Sequence, residues 1–134
     1  MAPAARGLLD TSVFIAVESA RPLDASLLPD QSVVCPVTIA ELQAGVLAAA
    51  DLDIRARRLA TLESIADVEV LSIDAEVAAV WARLRVHLAQ AGKRVNVNDL
   101  WIAATAVANR LPVVTPDDDF DPLDGVSGLE VIRV

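Results

Sequence analysis

Two hydrophobic rhythms alternate along the chain. Short segments at 6–9, SVVC (32–35), EVLSI (69–73), PVVT (112–115) and LEVIRV (129–134) have the length and apolar character of strands. Longer segments with helical spacing lie between them. Thr11–Glu18 opens a helical pattern, and Thr38 to about Ala50 and Asp51–Ile65 predict two further helices. Asp74 starts a long helix in which Val77, Trp81, Leu84, Leu88 and Ala91 recur at spacings of four, three, four and three, with Gly92 ending it. Asn98 opens the next, DLWIAATAVANR, apolar nearly all the way round and therefore central and buried, until Pro112 breaks it. Residues 21–31, with Pro22, Pro29 and Asp30, predict a short helix or loop. Strands alternating with helices predict an α/β sandwich with a mostly parallel sheet, and the lack of a repeat or linker predicts one domain over 1–134.

Composition sharpens this picture. The chain is 54% hydrophobic but only 3% aromatic, a mixture of Ala, Val, Leu and Ile that suits parallel strands under closely packed helices. A formal charge of −8 argues against gripping nucleic acid by bulk electrostatics, although acids that hold metal beside local arginines that hold phosphate stay compatible with it. Cys35 is the only cysteine, so no internal disulfide forms, and it reads as a small buried strand residue. The N-terminal MAPAARG is too short and weakly apolar for a secretory signal, and Pro36, Glu41 and Gln43 interrupt the longest apolar region. The expectation is a cytoplasmic protein with no membrane association.

The candidate chemistry lies with the acids. In LLDTSVFI, Asp10 stands between two leucines and a Val-Phe-Ile run, where an unpaired ionised carboxylate is costly. Ligands of parallel sheets bind at the carboxyl ends of the strands. Asp10 ends strand one, Glu41 lies in the first turn of the helix after strand two, and Asp117 and Asp119 follow strand four. Asp99 opens the helix that runs antiparallel into strand four, so it starts at the same edge. Simpler roles compete: a capping box for Thr38 and Glu41, a favourable helix dipole for Asp99, a solvated loop for DDDFD, and an N-cap for Asp74, which is left out of the site on that ground. Carboxylates sharing a pocket repel one another, and a hard divalent cation with oxygen ligands, Mg²⁺ or Mn²⁺, relieves that. Cys35 and His87 are too far apart in the chain to suggest zinc. The constellation points to metal-assisted attack of water on a phosphodiester.

The strings LLDTSVFI, VTIAELQAG, VNDLWIAATA and VVTPDDDFD resemble, in order, the four acidic motifs of PIN-domain nucleases, and more narrowly the VapC-type toxins of bacterial toxin–antitoxin pairs. The resemblance implies a compact three-layer α/β/α ribonuclease that uses one or two Mg²⁺ or Mn²⁺ ions and is silenced by a small cognate antitoxin. It implies catalytic roles for Asp10, Glu41, Asp99, Asp117 and Asp119, with Asp10, Asp99 and Asp117 as metal ligands and the choice between Asp117 and Asp119 open. Thr11 and Ser12 would line the site through their hydroxyls, and Thr115 would orient the loop. Lys93 and Arg94, and less strongly Arg55, Arg57 and Arg58, are candidate contacts to RNA phosphates. An antitoxin segment is expected to fill an apolar groove around Leu23–Leu28 and Val46–Ala50, and a homodimer and a hetero-oligomer with the antitoxin are expected too.

Two other classes stay open. A phospho-acceptor signalling module also clusters aspartates at strand ends, but it wants an acid pair after strand one and a lysine after the last inner strand. Here Thr11 and Ser12 follow Asp10, and Lys93 precedes a helix. A dehalogenase-like phosphatase wants an aspartate where Ser12 stands. The other class is a catalytically inactive binding domain of the same fold. Lone His87 is not expected to act as a base, and Trp81 and Trp101 are expected to pack rather than stack on bases.

Overall fold

The computed structural model describes residues 2–134. Five strands, β1 (Arg6–Leu9), β2 (Gln31–Val34), β3 (Glu69–Val70), β4 (Val113–Thr115) and β5 (Val131–Arg133), form one sheet in the order β3-β2-β1-β4-β5. Every pairing is parallel, with Leu8 opposite both Val33 and Val113 and Leu9 opposite Val114. Five helices accompany them: α1 (Thr11–Glu18), α2 (Pro36–Ala48), α3 (Leu52–Ser64), α4 (Ala75–Ala91) and α5 (Val97–Ala108).

A parallel sheet with helices on both faces must bury both sides of its central strands, and the alternation along them does this. Leu8, Val33 and Val113 turn to one face, where they pack with Val77, Leu84 and Leu88 of α4 and Leu100, Ile102 and Ala103 of α5. Leu9, Val34 and Val114 turn to the other, against Val13 of α1. Side chains crowd β1 at Gly7: a Cβ there would lie 2.9 Å from Val114 Cγ2 and 3.1 Å from Pro29 Cγ, so only glycine fits. Gly92 ends α4 in the left-handed conformation at φ 66°, as its position in the sequence predicts.

Several boundaries differ from the sequence reading, each for a local reason. EVLSI contributes only Glu69 and Val70 as a strand. Both are exposed at the sheet edge, and the Leu71 amide still reaches the Val34 carbonyl at 2.8 Å before the chain leaves. Cys35 does not close β2 but is the N-cap residue of α2, buried, with Thr105 Oγ1 3.6 Å from its sulfur. α2 begins at Pro36 rather than Thr38, because proline is preorganised for a first helical position and lacks only an amide that would be unpaired there. Residues 21–31 hold a single 3₁₀ turn, Ala25–Leu27, capped by Asp24. No described helix is long and apolar enough to cross a membrane.

Candidate active site

Asp10 follows the last residue of the central strand and occupies the N-cap position of α1. Elsewhere in the molecule an aspartate in that position caps its helix. Asp51 accepts from the Asp53 and Ile54 amides at 2.8 and 3.0 Å, and Asp74 from the Val77 amide at 3.0 Å. Asp10 makes no such bond and is 4% exposed. Its Oδ2 instead accepts from Ser12 Oγ and, at 3.0 Å, from Thr115 Oγ1. Thr115 is at hand because β1 and β4 are neighbours, the Asp10 amide donating to the Val114 carbonyl at 3.0 Å. Since both hydroxyl protons go to Oδ2, Ser12 and Thr115 have none left for each other across their 3.2 Å contact. Burial pushes the Asp10 carboxyl above its ordinary 3.8. The two hydroxyls oppose that shift, the Glu41 charge adds to it, and the Thr11 amide opposes it.

The early start of α2 moves Glu41 from the expected first turn into the second and removes the capping box, since Thr38 lies inside the helix. Thr38 takes part in a side-chain relay instead. Thr11 Oγ1 donates to Glu41 Oε1 at 2.7 Å, so in its 2.9 Å contact with buried Thr38 the Thr38 hydroxyl is the donor. Glu41 is thus aimed by Thr11, and Asp10 by Ser12 and Thr115.

Asp99 is the third residue of α5, whose N-cap Asn96 accepts from the Asn98 amide at 2.9 Å and leaves the aspartate uninvolved in capping. It is half-buried, and its carboxyl is pushed from 3.8 up to about 7. Burial is the largest cause, followed by the charges of Asp10, Asp119, Glu41 and Asp117.

The loop after β4 is fastened at both ends. Thr115 Oγ1 accepts from the Asp117 amide at 3.1 Å, and Phe120 is wholly buried among residues of α4 and α5. Between these anchors the aspartates diverge. Asp117 Oδ1 accepts from Arg21 Nη1 at 2.7 Å, while Arg21 Nη2 donates to the Pro116 carbonyl at 3.2 Å. Asp121 pairs with Arg133 at 2.7 Å. Asp119 is exposed and has no ion pair among the described residues.

Asp10, Glu41, Asp99, Asp117 and Asp119 line one open cavity of about 240 Å³, together with Thr11, Ser12, Asn96 and Asn98. Among the described residues no three His, Cys, Asp or Glu side chains already converge like a closed metal cage. The acids face a common space instead, a donor set of carboxylate and amide oxygens that fits a cation retaining several of its waters. Arg94 is exposed and lines an adjoining cavity with Asp99 and Asp119, and Lys93 lies one step further out.

Other candidates fall elsewhere. Exposed His87 lines a different cavity with Arg83 and Gln90. Trp81 and Trp101 stack on each other at 4.9 Å. Arg55 and Arg58 donate to the Ala49 and Gly45 carbonyls, giving the end of α2 the donors it lacks rather than pairing with acids. Val46 and Ala49 are buried, and Leu23 and Leu28 pack half-buried on the core, which corrects that much of the expected apolar groove, while Leu47 within it is exposed. The exposed apolar side chains of α1 and α3 include Ile15, Val17, Leu52, Ile54 and Leu59. Arg21, Thr38, Asn96 and Asn98 were not anticipated. Asn96 and Asn98 both precede Asp99 within VNVND and could have been found there, whereas Arg21 lies 96 residues from Asp117 with no local signal.

The PIN domain model matches residues 7–126. "Ribonuclease VapC5" of Mycobacterium tuberculosis is 62% identical over 130 residues, 97% of this chain and 96% of that protein. "Ribonuclease VapC4" of the same organism is 41% identical over 96% of this chain and 97% of that protein. The crystal structure of VapBC-5, a member of the VapBC family of toxin–antitoxin systems from M. tuberculosis, contains a chain 59% identical to this one, with a TM-score of 0.91 over 97% of this chain and 99% of that one. With four acidic segments meeting at the carboxyl edge of the sheet, and with relatives this similar along nearly its whole length, the chain belongs to the PIN-domain family, in its VapC branch.

Proposed function

We propose that residues 1–134 act as a single nuclease domain, the toxin of a toxin–antitoxin pair, which hydrolyses RNA phosphodiester bonds with Mg²⁺ or Mn²⁺ and is held inactive by a cognate antitoxin. The observation that carries the chemistry is the convergence of carboxylates from four separate segments around one cavity, where burial and the neighbouring charges together lift Asp99 to about 7. Such a site favours a divalent cation over protons.

Asp10, Asp99 and a loop aspartate would hold the ion. Asp119 is favoured over Asp117 for the third place because Asp117 already pairs with Arg21, and Asp119 precedes it among the charges acting on Asp99. A bound Mg²⁺ or Mn²⁺ supplies positive charge to the phosphate and acidifies a water. The protein's own part is orientation and proton handling. Ser12 and Thr115 fix Oδ2 of Asp10, and the Thr38–Thr11 relay fixes one oxygen of Glu41, leaving the other to accept the proton of the attacking water. Asn96 and Asn98 offer amide donors to non-bridging phosphate oxygens.

The antitoxin rests on the relatives' pairing as VapBC and on the apolar side chains left exposed on α1–α3, where Leu47 is 71% and Leu52 77% exposed. Homodimerisation and a cytoplasmic location belong to the same reading. The test is cleavage of single-stranded RNA in Mg²⁺ by the parent, Asp10→Asn and Asp99→Asn, with circular dichroism to verify folding. Both variants should lose at least about a hundred-fold in rate, the scale expected when one group that stabilises transition-state charge is removed. A folded variant that cuts as fast as the parent would overturn the assignment of that residue.

A further inference from the structure

The acidic cavity does not end at the acids. It shares Asn96, Asp99 and Asp119 with a second cavity of about 540 Å³, which in turn shares Arg94 and Val95 with a third, also about 540 Å³. That third space lies between the last turns of α4 and the start of α5, and its charged lining is Arg85, Lys93 and Arg94. All three are exposed, and none has an ion-pair partner among the described residues. In a chain of net charge −8 with only 11 basic residues, three unpaired cations in one groove leading to the acids are a local inversion of the overall field.

We propose that this groove is the path of the RNA strand away from the cut, with Arg85, Lys93 and Arg94 each contacting a backbone phosphate. The inference rests on the nuclease reading and deepens it, since it names which surface carries the substrate and what that surface reads. The remaining lining, Val86, Leu88, Val95 and Leu100 among it, is aliphatic and offers bases no hydrogen-bond pattern. No aromatic side chain is among the groove's lining residues either, and the Trp81 ring is engaged by Trp101 at 4.9 Å and by the Arg85 guanidinium at 5.7 Å. The latter contact also holds Arg85 in place on the groove wall. The groove therefore grips charge and tolerates sequence, and any base preference of cleavage comes from nucleotides inside the acidic cavity.

The test uses the full chain with the substitutions Arg85→Gln, Lys93→Gln and Arg94→Gln together, which remove charge but keep most of the side-chain length. Binding of a short single-stranded oligouridylate is followed by fluorescence anisotropy across a salt series in an Asp99→Asn background, where no cutting is needed. Each single-strand phosphate contact contributes roughly 0.7 to the slope of log affinity against log salt, so the triple variant should be shallower by about 2, and its affinity deficit should narrow roughly 20-fold between about 50 and about 200 mM salt. Oligoadenylate should give the same change. Arg110→Gln, an exposed arginine beyond the last turn of α5 and outside the groove, should leave the slope where it was. An unchanged slope in the triple variant, or an equal change in Arg110→Gln, overturns the path whether or not the parent cleaves RNA. A parent that fails to cut RNA while the slope still falls would refute the nuclease reading and leave the groove standing.

Discussion

Replacing Asp99 by asparagine should remove activity and, in metal-free buffer above neutral pH, stabilise the fold. An acid whose folded pKa is raised from 3.8 to about 7 binds more protons folded than unfolded across that interval. Stability therefore falls as pH rises from about 4 to about 7. Below that window both states are protonated and the penalty is absent; above it the penalty is complete. The full shift corresponds to about 4 kcal/mol, but Asp99 is only half-buried and water screens its neighbours, so about 2 kcal/mol is the realistic size. The charged form also gains about 0.5–1 kcal/mol from the start of α5, which asparagine gives up. The net expectation for Asp99→Asn is a gain of about 1–1.5 kcal/mol at pH 8 and none at pH 3.5.

Urea unfolding in EDTA at the two pH values measures this directly. Adding Mg²⁺ should then reverse the order at pH 8, because an ion that binds only the folded parent stabilises it by mass action. A variant equal to or less stable than the parent at pH 8 in EDTA would refute the claim that burial and the neighbouring carboxylates hold the Asp99 carboxyl up. A gain of the same size at pH 3.5 would assign the effect to something other than charge.

Three further outcomes follow from the same geometry. Phe120→Ala removes a fully buried ring that anchors the loop and should cost about 3–5 kcal/mol, read as a lower urea midpoint, with cleavage falling even where the protein remains folded. Arg21→Ala breaks an ion pair whose partners are 50% and 29% exposed, so stability should change by less than about 1 kcal/mol. The rate of RNA cleavage should nevertheless drop as the loop loosens, and an unchanged rate would show that Arg21 does not position it. Thr115→Val deletes a hydroxyl that donates to Asp10 and accepts from the Asp117 amide, and should cost about 2 kcal/mol together with most of the activity.

The sheet was readable because its central strands are short, apolar and bounded by glycine, proline or acid, and the long helices because their stripes repeat cleanly. The edge strand was overestimated because EVLSI has strand composition throughout, while pairing depends on how far β2 runs beside it. The start of α2 was misjudged because Pro36 reads equally as a breaker and as a first helical residue. The acids themselves were legible from their places after strands or, for Asp99, at the start of a helix leading into one. What joins them was not: the Thr38–Thr11–Glu41 relay spans 30 residues and the Arg21–Asp117 pair 96, and each depends on a residue type that is ordinary in its own segment. The family resemblance implied Asp117 as a metal ligand with Asp119 left open, and the Arg21 contact to Asp117 is why the proposal favours Asp119.

The contrast among helix starts explains why the site lies where it does. Asp51 and Asp74 satisfy the orphan amides of their helices, and each is exposed. Asp10 has the same place before α1 but sits at the centre of the sheet, where two hydroxyls from Ser12 and Thr115 compete for its oxygen and win. They lower the penalty of burying the carboxylate without neutralising it, since a hydroxyl donates a proton partway and carries no net charge. An arginine in either place would pair with Asp10 as Arg21 pairs with Asp117 at the rim. In the nuclease reading proposed above, the hydroxyl-lined centre leaves Asp10 its full charge for a cation to meet, while the arginine at the rim gives Asp117 less need of one.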